Sequence, residues 1–219
     1  MRRWIVSVGA AALLLGASLG ATAQTTFTFG GDPFEGSTAP ATPGRQVVGG
    51  EPSITFSIPS DLFSFEGSFF AFVAGISFAN GTIGSIPAAG TNVAVLRTFD
   101  DDANPATGFG AGSAANLLAE QITTPGAGLF VYFNSGLNLA RLVYSSDLSD
   151  NTADLKILAR MTNLTGALGQ DAMAQLRAEN FAFAPTPVPE PATILLLGSG
   201  LALMTRLRPG QRRSPRKDA

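Results

Sequence analysis

LFVYFNSGLNLARLVYS, residues 129–145, carries the clearest fold signal in this chain. The apolar run 129–133 and the mainly apolar segment 137–145 flank the turn residues Asn134, Ser135 and Gly136. Aromatic and β-branched residues favour strands, and a short glycine-containing turn between two such runs indicates a β-hairpin. The segment therefore predicts a pair of adjacent antiparallel strands in a mainly β protein.

Further strand patterns lie on both sides of this hairpin. Alternation of apolar and polar residues, or a short apolar run bounded by turn residues, predicts strands at 25–29, 53–58, 93–99 and 181–183. The run FFAFVAGISFA, residues 69–79, is apolar on both faces, and we expect a central strand that bends at Gly75 and ends at the turn pair Asn80-Gly81. One more strand is expected to place four apolar residues on one face: Leu155, Ile157, Ala159 and Met161.

Two segments have helical character. SAANLLAEQ, residues 113–121, starts with a serine that can cap a helix, and strong helix formers follow it. Residues 167–179 form the second candidate. About eight short strands separated by Gly, Pro and Asn turns predict a single β-sandwich, with a jelly roll as a variant, and one or two short helices.

The amino terminus has the pattern of a secretory signal. Arg2 and Arg3 precede an apolar stretch, and Ala21-Thr22-Ala23 provides the small-x-small pattern that signal peptidase requires. We expect residues 1–23 to be a helical signal peptide, with cleavage between Ala23 and Gln24. Residues 24–184 would then be one exported domain, followed by a sorting segment at 185–219.

Composition excludes several classes of function. Residues 24–187 contain six Lys/Arg and 14 Asp/Glu, a net charge of −8, which argues against a nucleic-acid partner. The chain has no cysteine and no histidine. Disulfides, Ser-His-Asp and Cys-His catalysis, and zinc sites with His or Cys ligands are therefore excluded. We predict no cofactor, no metal and no catalytic residue.

Acidic side chains cluster at two places. Asp100, Asp102 and Asn104 match the opening of an oxygen-rich calcium loop, but Pro105 and Ala111 occupy the positions where that loop needs glycine and a bidentate carboxylate. A solvated acidic turn is the reading that we favour over a calcium site. The second cluster consists of Asp147, Asp150 and Asp154, and we interpret it as a polar surface loop.

The carboxyl terminus has three parts in a fixed order. Alternate prolines at 185, 187, 189 and 191 favour an extended stem without regular hydrogen bonds. The apolar run 192–204 follows, which would span only about 20 Å as a helix, and then a basic tail. We expect a short hydrophobic helix that anchors the chain transiently in the inner membrane and keeps its bases in the cytoplasm.

This ending resembles the PEP-CTERM sorting signal of exported Gram-negative proteins, also named the ice-binding protein C-terminal domain. The resemblance rests on the motif Val188, Pro189, Glu190 and Pro191, and on the anchor and stop-transfer residues Gly198, Gly200, Arg206, Arg208, Arg212 and Arg213. It implies recognition by exosortase, cleavage, and transfer to the cell surface or the extracellular matrix. The tail continues past Arg208 as PGQRRSPRKDA, longer than the usual ending of such signals.

Two functions of the body are compatible with these observations. The first is a non-enzymatic structural or polysaccharide-associated module of the cell surface or a biofilm matrix, with signal peptidase, exosortase and exopolysaccharide as partners. The second is a glycan-active enzyme that uses carboxylates. One Trp and two Tyr are few for the stacking platforms of a sugar-processing cleft, which favours the first. A close pair of carboxylates inside a cleft would favour the second.

Overall fold

The computed structural model describes residues 24–67, 70 and 75–183. The predicted signal helix and the predicted hydrophobic helix lie outside these residues. Within them the protein is mainly β, as predicted, and its strands form a three-stranded and a seven-stranded sheet. The elements are β1 Thr26–Gly30, β2 Val47–Val48, β3 Ser53–Ile54, β4 Leu62–Glu66, β5 Phe78–Gly81, β6 Val93–Leu96, α1 Ala111–Gln121, β7 Gly128–Asn134, β8 Leu139–Ser145, β9 Leu155–Thr165, α2 Gly166–Met173 and β10 Phe181–Phe183.

The two sheets pack face to face as a sandwich. The small sheet has the order β1-β4-β10, and the large sheet has the order β2-β9-β8-β7-β6-β5, with β3 also pairing with β9. Apolar residues of β4 and β10 pack with those of β6 to β9 in one core. Phenylalanine rings dominate its small-sheet side: Phe56 stacks on Phe63 with centroids 4.1 Å apart, and Phe63 also contacts Phe181.

Six of the eight pairings among the described strands are parallel. The antiparallel pairs are β7–β8 and β8–β9, so the predicted hairpin is confirmed. A jelly roll consists of antiparallel Greek keys, and the described strands therefore form a sandwich of a different topology. Parallel strands that are buried on both faces explain why β6 and β7 are almost continuously apolar.

Helix α1 covers the outer face of the large sheet. Its buried residues Ala111, Ala114, Ala115 and Leu118 recur at helical spacing and pack on β6, β7 and β9. The predicted helix is confirmed, but it starts two residues earlier than expected: Gly110 is the N-cap, and Ser113 lies inside the first turn. The second predicted helix is shorter than expected, since α2 ends at Met173.

The apolar side chains of β9 point to one face of the large sheet in its first part and to the other face in its second part. Leu158 is an extra residue between Ile157 and Ala159, which pair with consecutive residues of β8. Leu155 and Ile157 therefore pack under α1, whereas Ala159 and Met161 lie in the sandwich core. The prediction that these four residues line one face is wrong, because a β-bulge reverses the alternation of the residues that follow it.

Three other strand predictions changed in extent, and the one at 93–99 ends at Leu96. Asn80 and Gly81 belong to β5 rather than to a turn, and their backbones pair with Val95 and Leu96 of β6. Gly75 has a φ of +74°, as a bend requires, while residues 69 and 71–74 of the predicted central strand lie outside the described residues. Exposed and buried residues alternate at 53–58, as predicted, but only Ser53 and Ile54 pair with another strand.

Candidate functional site

A cavity of about 380 Å³ lies where the three strands of the small sheet begin. These strands run parallel, so the segments that precede them meet at one end of the sheet. We call this the amino-end cavity. It is lined by Gln24, Ile58, Pro59, Ser60, Asp61, Gln175, Arg177, Glu179 and Asn180.

Two buried polar residues build the floor of the amino-end cavity. The Asp61 carboxylate accepts hydrogen bonds from the Thr25 and Ser57 backbone amides, at 3.1 and 2.8 Å, and from the Ser60 hydroxyl at 3.1 Å. Asn180 donates to the carbonyls of Ile58 and Asp61, at 2.8 and 3.0 Å. These bonds tie together the segments that precede β1, β4 and β10, so both floor side chains have a structural role.

The rim of the amino-end cavity is different, because its polar groups are exposed. Gln24, Gln175, Arg177 and Glu179 are all exposed to solvent. No described residue forms a hydrogen bond with the side chains of Gln24, Gln175 or Glu179. Amide groups that donate and accept, next to one acid and one base, can bind a ligand rich in hydroxyl groups.

Asp61 and Glu179 place two carboxylates in the same cavity, which is the arrangement that would favour a glycan-active enzyme. Both oxygens of Asp61 are already occupied, however: Oδ1 accepts from the Thr25 amide and the Ser60 hydroxyl, and Oδ2 accepts from the Ser57 amide. A general acid or nucleophile needs an oxygen directed at the substrate. The geometry of Asp61 therefore suits a floor residue better than a catalytic one.

The predicted acidic turn is exposed. The carboxylates of Asp100, Asp101 and Asp102 approach within 4.8 Å of one another. The candidate ligand Asn104 is directed elsewhere, since its Oδ1 accepts from the Ala106 amide at 3.1 Å. A hydrogen bond from the Thr107 hydroxyl, supported by the Asn104 amide, lowers the pKa of Asp102 below its ordinary value. The geometry is that of a tight turn whose acids organise its own backbone.

The carboxylates of the second acidic cluster also accept hydrogen bonds from nearby residues. Asp147 accepts from the backbone and hydroxyl of Ser149, and Asp150 accepts from those of Thr152. Asp154 accepts from the Gln46 amide at 2.8 Å. The three carboxylates thus hold the loop and its neighbouring segment in place, as expected of a polar surface loop.

The predicted processing residues lie mostly outside the described residues. Ala21 and Ala23 fall there, as do the sorting motif at 188–191 and the anchor residues from Gly198 to Arg213. Gln24 is described, and it lies on the rim of the amino-end cavity. Within the described part of the chain, no helix has the length and apolar character needed to cross a membrane.

Sequence patterns did not reveal the amino-end cavity. Its lining comes from three segments, at 24, 58–61 and 175–180, which only the pairing of β1, β4 and β10 brings together. Strand β4 itself was not predicted, although Phe63 and Phe65 alternate with Ser64 within it. That alternation, directly after the Pro59-Ser60-Asp61 turn, is the one local signal that could have indicated this end of the sheet.

The comparison with known proteins concerns the carboxyl terminus. A family model described as the PEP-CTERM protein-sorting motif matches residues 187–213, which confirms the resemblance inferred from the sequence. The motif indicates an exported protein that exosortase sorts to the cell surface. No curated protein and no solved structure matches the chain.

Proposed function

We propose that the body is a non-enzymatic module that binds polysaccharide at the cell surface or in the extracellular matrix. The observation that carries this proposal is the sorting motif at 187–213, because a protein sorted to the cell surface would meet exopolysaccharide there. In this proposal signal peptidase cuts before Gln24, the apolar run holds the precursor in the inner membrane, and exosortase then releases it.

The amino-end cavity supports a saccharide as the ligand. Its volume of about 380 Å³ lies at the lower end of the range of small-molecule sites. The rim amides of Gln24 and Gln175 and the charges of Arg177 and Glu179 can pair with hydroxyl groups. Pro59 is exposed beside them and offers an apolar surface for the C–H face of a sugar ring. A binding site of this kind needs no cofactor.

A carboxylate-dependent glycan-active enzyme is the second candidate, favoured by the shared position of Asp61 and Glu179. The three hydrogen bonds that Asp61 accepts argue against it. We therefore assign Asp61 to folding and Glu179 to binding.

Binding and cleavage can be tested together on the exopolysaccharide of the producing strain. The mature protein should bind it without releasing new reducing ends. The double variant Gln175→Ala/Glu179→Ala should lose binding. The matched control Gln170→Ala/Glu66→Ala, which removes the same two side-chain types away from the cavity, should bind like the wild type.

Three outcomes would count against the proposal. Equal binding by both double variants would mean that the amino-end cavity is not the site. No binding by the wild type would contradict the polysaccharide-binding function. New reducing ends that disappear in Glu179→Gln would favour the enzyme.

A further inference from the structure

The chain leaves the small sheet at the end opposite the amino-end cavity. The cavity residues at 24, 58–61 and 175–180 precede β1, β4 and β10, whereas the sorting segment follows Phe183, the last residue of β10. Because the three strands are parallel, their beginnings and their ends lie at opposite ends of the sheet. Strand β4 has five residues, so about 16 Å separates the two ends.

The link between the body and the predicted anchor is short. Eight residues, 184–191, separate Phe183 from the apolar run at 192–204, and they span at most about 29 Å. Four of the eight are prolines at alternate positions, which favour an extended backbone and oppose a reversal of direction. To bring the cavity to the membrane, this link would have to run back along the whole length of β4.

We propose that the amino-end cavity faces away from the membrane while the precursor is anchored, so that polysaccharide binds before exosortase cuts. This inference rests on the proposed function for the identity of the ligand and for the membrane anchor, and its geometric part needs the anchor alone. Exosortase would then release a protein that already carries its ligand, and cleavage would transfer the protein directly into the matrix.

The geometric part can be measured with single cysteines, since the chain has none of its own. Glu179 lies on the cavity rim, and Glu66 lies at the end of β4 beside the chain exit; both are exposed. Full-length Glu179→Cys and Glu66→Cys proteins would be anchored in spheroplasts of a strain without exosortase and labelled with one fluorophore. A quencher attached to lipid headgroups is then added.

We expect the label at position 66 to lose a larger fraction of its fluorescence than the label at position 179. Equal losses, or a larger loss at position 179, would overturn the proposed orientation. Neither labelled variant is used to measure ligand binding.

Binding before cleavage is tested separately, with wild-type protein and fluorescent exopolysaccharide. Anchored precursor and released protein should bind it with the same dissociation constant. Binding by the released protein alone would overturn this inference and leave the proposed function standing. Absence of binding by both forms would overturn the proposed function, and the quenching result would then decide the orientation independently.

Discussion

Glu51 lies between two arginines on neighbouring strands. Arg141 of β8 and Arg160 of β9 occupy directly opposite positions, where two like charges repel each other. The fully buried Glu51 carboxylate pairs with both guanidinium groups, and its oxygen lies 2.5 Å from Arg160 Nε. Burial favours the neutral acid, but hydrogen bonds from Arg160, from the backbone of Glu51 and from Arg141 outweigh it and lower the pKa of Glu51.

Glu51→Gln should destabilise the protein by about 3 kcal/mol at pH 7, because it leaves two partly buried cations without their carboxylate. Glu35→Gln, an exposed control, should change the free energy of unfolding by less than about 0.5 kcal/mol. Urea unfolding measures both. If Glu51→Gln lowered the free energy of unfolding no more than the control does, the role assigned to Glu51 between the two arginines would be wrong.

The contribution of Glu51 should also depend on pH. A lowered pKa in the folded state adds stability that is complete above the unfolded pKa, about 4.3, and is lost as the pH falls through the folded value. The stability difference between wild type and Glu51→Gln should therefore be constant above about pH 6 and shrink below about pH 5. Melting temperatures measured from pH 3 to 7 test this. A constant difference would show that the pKa of Glu51 is not lowered.

The acidic turn at Asp100–Asp102 should not bind calcium strongly. Asp102 already accepts a hydrogen bond from the Thr107 hydroxyl, whose oxygen lies 2.9 Å from both carboxylate oxygens, and Asn104 is directed at the backbone. A ligand that binds only the native state must stabilise it, so millimolar calcium should leave the melting temperature unchanged. A rise of several degrees that Asp102→Asn abolishes would show that the turn is a calcium site after all.

Helix α2 depends on one glycine at its contact with β9. A side chain at Gly169 would overlap the backbone carbonyl of Leu164, so the helix can approach the end of β9 only because this residue has no Cβ. Gly112 in α1 is the opposite case, since a Cβ at this position would meet open space. The same residue type is therefore required in one helix and replaceable in the other.

Gly169→Ala should destabilise the protein by about 1–3 kcal/mol, because α2 must move away from β9 to make room. Gly112→Ala should stabilise it by about 0.5–1 kcal/mol, since alanine restricts the unfolded chain and favours the helix. Equilibrium unfolding in urea measures both. If the two variants changed stability in the same direction, the packing assigned to Gly169 would be wrong.

At the scale of the whole molecule, charge is divided between the exported body and the tail. Residues 24–187 have a net charge of −8, whereas 206–219 contain six bases and one acid. Basic residues beside an apolar segment are retained in the cytoplasm, whereas the acidic residues lie in the part of the chain that is exported. This distribution agrees with the sorting motif at 187–213, and it makes Glu190 an exception: an acid next to the predicted anchor.

Glu190→Ala should leave export intact and block release, so that uncleaved protein accumulates in the inner membrane. In the proposed function exosortase recognises the shape and charge of Pro189-Glu190-Pro191, whereas an ordinary anchor would depend on hydrophobicity and flanking charge alone. A tag placed after Gln24 allows membrane, surface and medium fractions to be compared, with Glu66→Ala as the control. The sorting role of Glu190 is wrong if the variant reaches the surface in the same amount and at the same size as wild type.

The basic tail should act differently from Glu190. Neutral residues in place of Arg206, Arg208, Arg212 and Arg213 should weaken retention, so that precursor passes the membrane before it is cut. The same fractionation distinguishes this result, full-length protein in the medium, from that of Glu190→Ala. Accumulation of the neutral-tail variant in the membrane would contradict the stop-transfer role.

Local patterns determined much of this protein without tertiary information. The hairpin at 129–145, strands β1 and β10 and a helix ending at Gln121 follow from side-chain periodicity and turn residues, because neighbours in the sequence create those signals. The sorting motif is likewise contiguous, so its recognition required no fold. The absence of histidine and cysteine excluded whole classes of chemistry from composition alone.

Other features form only where residues that are distant in the sequence come into contact, and these features could be seen only in the tertiary structure. The parallel pairing of β1, β4 and β10 creates the amino-end cavity from three segments that are far apart in the sequence, at 24, 58–61 and 175–180. The bulge at Leu158 places the apolar side chains before and after it on opposite faces of the sheet, although the sequence of β9 alternates regularly. Glu51 meets Arg141 and Arg160 because β2 and β3, which flank it in the sequence, pair with β9, and β9 pairs with β8. In each case the deciding free energy comes from long-range packing, hydrogen bonds and ion pairs, to which local periodicity makes no contribution.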